Sequence, residues 1–172
     1  MADFDLFLPM LLGFEGGYVR DLADPGGETN KGVTMGTFRQ CARQLLGVDP
    51  TSESLQALTD DQAGVIYRAL YWDKVHGDDI ASQDLANIVC DFFVNSGVNA
   101  TKLLQRVLNE LGADLAEDGI VGSGTMAALT ASDQARVYQA YRQGRIDYYI
   151  ALGTKYPQFV KGWLARANAF PA

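Results

Sequence analysis

Apolar residues recur along this chain at intervals of three and four, the spacing that puts side chains on one face of an α-helix, and no run alternates convincingly as a strand would. Phe4, Phe7, Leu8 and Leu11 open the series and Glu15 extends it by four, so the pattern predicts a helix whose core-facing side ends in an acid. Pro9 leaves the start of that helix open, because proline is harmless at the first helical position and disruptive inside. Thr34 or Thr37 is placed to cap a helix that buries Phe38, Cys41, Ala42 and Leu45. Thr59 and Gln62 form a capping-box signature ahead of Ile66, Tyr67, Leu70 and Tyr71, with Asp60 and Asp61 in the first turn. Leu85, Ile88, Val89, Phe92 and Phe93 mark a helix ending near Asn95-Ser96-Gly97, and Leu103, Leu104, Val107, Leu108 and Leu111 one that Gly112 stops. Two more carry Val137, Tyr138, Tyr141, Tyr148, Tyr149 and Leu152, then Phe159, Val160, Trp163 and Leu164 after an opening Pro157.

The fold class expected is therefore mainly α. Residues 16–33 are the exception: polar, glycine-rich and long for a structureless loop, they predict either a functional loop or a short hairpin. A soft boundary near Gly97 to Ala100 divides the chain into residues 1–97 and 98–172, two halves expected to pack together.

Composition narrows the function. The 172 residues include 21 acidic and 14 basic side chains, a net charge of −7, with no basic cluster to follow a phosphate backbone, which argues against nucleic-acid binding. No apolar run reaches the ~20 residues of a membrane span, so no membrane insertion is expected. The N-terminus lacks a basic segment and a small-residue cleavage site, so it does not read as a Sec signal peptide. Cys41 and Cys90 lie in helical apolar patterns and read as core residues of a chain made in a reducing compartment. With His76 the only histidine, and with no recognised ligand spacing, neither a catalytic metal nor any other cofactor is expected.

Glu15 sits where the apolar segment gives way to the polar loop, so its carboxyl can be walled by hydrocarbon and still face a cleft. A carboxyl partly removed from water keeps its proton to higher pH, as general-acid cleavage of an acetal requires. Asp24 and Thr29 follow in the pattern E-x8-D-x4-T. Other roles fit the same residues. Glu15 could be a solvated helix-end residue, Asp24 could serve only as turn chemistry in Asp24-Pro25-Gly26-Gly27, and Asp21, Asp24 and Glu28 are oxygen donors of the kind calcium takes, though not at EF-hand spacing.

The stretch from Glu15 to Thr34 resembles the opening motif of glycoside hydrolase family 108, the secretion-activator or muramidase family of phage lysins and secretion accessory proteins. The match runs through Glu15, Gly16, Gly17, Tyr18, Asp24, Pro25, Gly26, Gly27, Thr29, Gly32 and Thr34, and departs at Arg20 and Leu22. The E-x8-D-x4-T spacing is also similar to the catalytic triad of phage-type lysozymes. The resemblance implies a lysozyme-like helical fold with Glu15 as general acid, Asp24 as second carboxylate and Thr29 holding water with it. Tyr18, Asn30, Trp72 and Asn95 are the candidates for binding the saccharide, since aromatic faces stack on sugars and amides bond acetamido groups. Asp118-Gly119-Ile120-Val121-Gly122-Ser123-Gly124-Thr125 resembles the DGxxGxxT signature of peptidoglycan-binding domains, and is equally good turn chemistry before a helix bearing Met126 and Leu129.

The implied activity is that of an N-acetylmuramidase cutting the glycan backbone of peptidoglycan, with peptidoglycan as partner and the chain a monomer. A lytic transglycosylase on the same bond, a Cys-His amidase using His76 with Cys41 or Cys90, and a catalytically silent wall-binding accessory protein are the rivals. Such a protein would be made in the cytoplasm and act in the periplasm or wall after release by a holin-like or dedicated export route.

Overall fold

The computed structural model describes residues 1–20 and 27–171. By packing they form two units, residues 4–70 and residues 71–171 with 1–3.

The first unit opens with helix α1 (Phe4–Phe14), which buries Phe4, Phe7 and Leu11 as the spacing requires. Pro9 falls inside this helix, on its exposed side. Among the described residues, the polar segment that follows holds three very short strands, β1 (Val19–Arg20), β2 (Glu28–Asn30) and β3 (Val33–Thr34), in an antiparallel sheet ordered β1-β2-β3. Thr29 lies opposite Val19 on one side and Thr34 on the other. Strands of two or three residues are too short to show alternation, which is why periodicity signals none here. Lys31 and Gly32 join β2 to β3 with φ of 50° and 75°, the two left-handed residues of a tight hairpin turn whose twist suits the strands.

Thr34 ends β3 and caps α2 (Met35–Leu46), accepting from the Thr37 amide at 3.2 Å; Met35, Phe38, Cys41 and Ala42 are buried, while Leu45 is only partly so. The short helix α3 (Ser52–Gln56) is too brief to announce itself by periodicity, and its single buried side chain is Leu55. Helix α4 (Asp60–Tyr67) starts at the expected capping box of Thr59 and Gln62 and buries Ala63, Gly64, Ile66 and Tyr67. Beyond it the chain widens into a π turn over Arg68–Trp72, then makes two 3₁₀ turns, Asp73–Val75 and Gly77–Asp79.

The second unit is a bundle of α5 (Gln83–Ser96), α6 (Val98–Glu110), α7 (Ser123–Ala131), α8 (Gln134–Gly153) and α9 (Pro157–Asn168). Helix α5 packs on α6 and α8, and α8 packs on α6 and α9. Phe92 is the hub: the rings of Tyr141, Tyr148 and Tyr149 meet it edge-on at 6.3, 5.2 and 5.5 Å, and Trp163 stacks on Tyr149 at 5.5 Å. Asp91 is fully buried and accepts from Arg145 of α8 and Arg166 of α9, so one carboxylate ties three helices. The N-terminal residues belong to this unit, with the Ala2 amide donating to the Ile80 carbonyl and the Asp3 amide to Gln83 Oε1.

The fold is thus mainly α with a short hairpin-bearing loop. By packing, the chain divides near residue 70, since α5 shares its contacts with α6, α8 and the two 3₁₀ turns before it.

Candidate active site

Glu15 stands one residue beyond α1, and its amide still donates to the Leu11 carbonyl at 3.2 Å, so it keeps the helical direction set by Phe7 and Leu11. Its side chain is half-buried and reaches across the β2–β3 turn. A Cβ added to Gly32 would come within 2.6 Å of Glu15 Oε2 and would collide with the hydroxyl of Tyr67. Gly32 is therefore required twice over, by its left-handed backbone and by the two polar groups that fill the space a side chain would need.

Tyr67 is 2% exposed, its ring held in the core on the buried face of α4. Its hydroxyl donates to the Lys31 carbonyl at 2.9 Å, and the ammonium of Lys31 pairs with Asp60 at the start of α4. A non-glycine residue at positive φ is thereby secured at both ends. The sequence pattern marks Tyr67 only as an apolar-face position, because nothing in a 3.6-residue period shows where a hydroxyl ends up.

Thr29 occupies the middle strand and is half-buried, and Tyr18, just before β1, is half-buried as well. Asp24 lies outside the described residues. Asn95 is exposed near the end of α5, with its amide donating to the Asp91 carbonyl at 2.8 Å.

Two expected saccharide contacts are placed otherwise. Asn30 is buried and both its amide hydrogens are used within the unit, on the Leu55 and Gln56 carbonyls at 2.9 and 3.0 Å, so it ties β2 to α3 instead of offering an amide to a sugar. Trp72 is 0% exposed: the π turn directs its indole into the second unit, where Nε1 donates to Asp78 at 2.8 Å and Gly77 packs on the ring. A ring with no open face has nothing to stack on a sugar.

Several polar groups of the Asp118–Thr125 turn are also bonded within the unit, although Asp118, Ile120 and Ser123 stay exposed. Gln105 of α6 donates to Asp118 Oδ1 and to the Ile120 carbonyl and accepts from the Gly119 amide at 2.8 Å, while Thr101 donates to the Gly119 carbonyl at 2.7 Å. These bonds from Gln105 and the Ile120 amide hold the Asp118 carboxyl below its usual range. The motif is a staple between the loop and α6. A recess between α6 and α8 offers more open chemistry, lined by Lys102, Arg106, Gln143, Asp147 and Tyr148.

Cys41 and Cys90 are free and buried, and burial pushes both thiols up, Cys90 well above its ordinary value. His76 sits exposed beside Asp79 at 3.4 Å. Burial that disfavours the thiolate removes the nucleophile an amidase would need. Among the described residues no helix is long and apolar enough to cross a membrane.

Comparison with known proteins divides the chain near residue 98. The glycosyl hydrolase 108 family model matches residues 8–97, and the model described as a predicted peptidoglycan domain matches residues 99–168. Comparison with curated proteins gave no match. Among solved structures, SagA of Brucella abortus is similar, with 32% identity, a TM-score of 0.69, and coverage of 97% of this chain and 94% of that one. The chain therefore belongs to the glycosyl hydrolase 108 family, a glycoside hydrolase acting on peptidoglycan.

Proposed function

We propose that the enzyme is an N-acetylmuramidase, cleaving the bond between N-acetylmuramic acid and N-acetylglucosamine with Glu15 as general acid. The observation that carries this is the placement of Glu15: a carboxyl at the end of an apolar helix face, half-buried, lodged over a glycine turn and bordered by a tyrosine hydroxyl. Glu15 protonates the leaving oxygen as the bond breaks. Asp24 activates water or attacks the sugar from the other side, and Thr29, in β2, helps to hold that water. Tyr18 and Asn95 are the remaining sugar contacts.

Residues 98–172 supply affinity for the wall through open surface, since the Asp118–Thr125 turn uses its polar groups internally. The α6–α8 recess suits a zwitterionic stem peptide, because it presents two cations, Lys102 and Arg106, and two acids, Glu110 and Asp147, beside a tyrosine ring. The protein reaches the wall as a monomer by a holin-like or dedicated export route.

Mass spectrometry of digested peptidoglycan tests the reaction. Reducing-end muramic acid is the expected product; anhydromuramic ends would establish a transglycosylase, and free stem peptides an amidase.

A further inference from the structure

We propose that Tyr67 is a positioning residue for Glu15, an inference that rests on the assignment of Glu15 as the acid. Three observations place it there. The ring is locked in the core of the first unit, so its hydroxyl occupies a fixed point. That hydroxyl is anchored a second time by its bond to the Lys31 carbonyl at 2.9 Å. It also borders the space above Gly32 into which Glu15 extends, where Oε2 and Cδ lie 2.6 and 2.8 Å from the position of an added Cβ.

The carboxyl is consequently turned with Oε2 against the turn, and Oε1 lies farther from it. Tyr67 and the bare Gly32 backbone form a seat that fixes rotation about the last bond of the glutamate. A flexible glutamate at the end of a helix would sample many orientations, of which few aim an O–H at a glycosidic oxygen; the seat removes that search before substrate arrives. Gly32 makes the seat possible and Tyr67 gives it a rigid wall.

Tyr67→Phe keeps the ring and deletes the wall. On soluble, uncross-linked glycan chains the variant is expected to lose about tenfold in kcat, since misplacing a reacting group can cost up to ~10²-fold, while KM stays within about twofold. Combined with Glu15→Gln it should cause no further loss of rate, because Tyr67 acts only through that carboxyl. A merely structural tyrosine would lower thermal stability, leave kcat per folded molecule unchanged and add its effect to that of Glu15→Gln. If Tyr67→Phe proves too unstable to assay, the same substitution is measured in a Lys31→Asn background with Lys31→Asn as its reference, since asparagine suits the left-handed turn position without help from Tyr67. A kcat within about twofold of the reference overturns the inference. Full activity of Glu15→Gln would instead overturn the assignment of the acid, so the two failures are distinguishable.

Discussion

In residues 4–70 the β2–β3 turn and the Tyr67 hydroxyl of α4 lie beside a carboxyl that remains half-buried, whereas in residues 71–171 the deepest charges are turned on one another. Asp91 accepts from two arginines, and Arg145 lies between the rings of Phe92, Tyr149 and Phe170 at 5.1–5.6 Å, with Nε and Nη1 making no hydrogen bond. Its charge is met by aromatic faces as well as by the carboxylate. The two arrangements answer different demands. A buried ion cluster fixes how helices meet, because a misaligned helix would strand a charge. A reacting acid has to be held in place and still reach its substrate.

The largest expected effects test that contrast directly. Glu15→Gln should slow lysis of purified walls by ~10²–10⁴-fold and leave the melting temperature nearly unchanged. Asp91→Ala should do the reverse, costing about 3–5 kcal/mol of stability by leaving Arg145 buried without its counter-ion, with activity per folded molecule retained below the melting transition. Calorimetry and turbidity assays on both variants check the pair, and a stable but inactive Asp91→Ala would break the division of labour.

Gly32→Ala should affect both quantities, since it introduces a left-handed alanine worth about 1–3 kcal/mol of strain and pushes a methyl against Glu15 and Tyr67. Urea unfolding and lysis rates would show the two losses together. A variant that keeps full activity would show that the seat around Glu15 is not needed.

The smallest effect concerns acid stability of the second unit. The hydrogen bonds to Asp118 lower its carboxyl in the folded state, so their contribution is fully present above the ordinary aspartate value of ~3.9 and is lost as pH falls through the lower folded value. Asp118→Asn can still accept from Gln105 and the Ile120 amide but does not titrate. Its melting temperature should fall less steeply than wild type on going below about pH 4, with little difference at neutral pH.

How much of this was legible in the sequence varies from element to element. The Thr59–Gln62 capping box, the proline that opens α9 and the buried faces of α1 and α5 are written in residues a few positions apart, and they formed as read. The place of Glu15 at the end of an apolar helix face was legible in the same way, from the series that it continues. The inward turn of Trp72 was not, because it depends on a helix widening for a single turn; a face-counting argument assumes regular geometry.

What the sequence by itself determined is the local grammar: where helices begin and end, that the fold is mainly α, and which acid stands at the mouth of the glycine-rich loop. Those features depend on interactions within one or two turns of chain. Tertiary structure alone decided that Asn30 and Gln105 would serve as internal ties, that α5 would pack with the helices after it, and that Tyr67 would meet Glu15 over Gly32. These outcomes join residues far apart in sequence, and a polar side chain carries no mark of whether its partner will be solvent, substrate or a distant carbonyl until packing has brought one of them within reach.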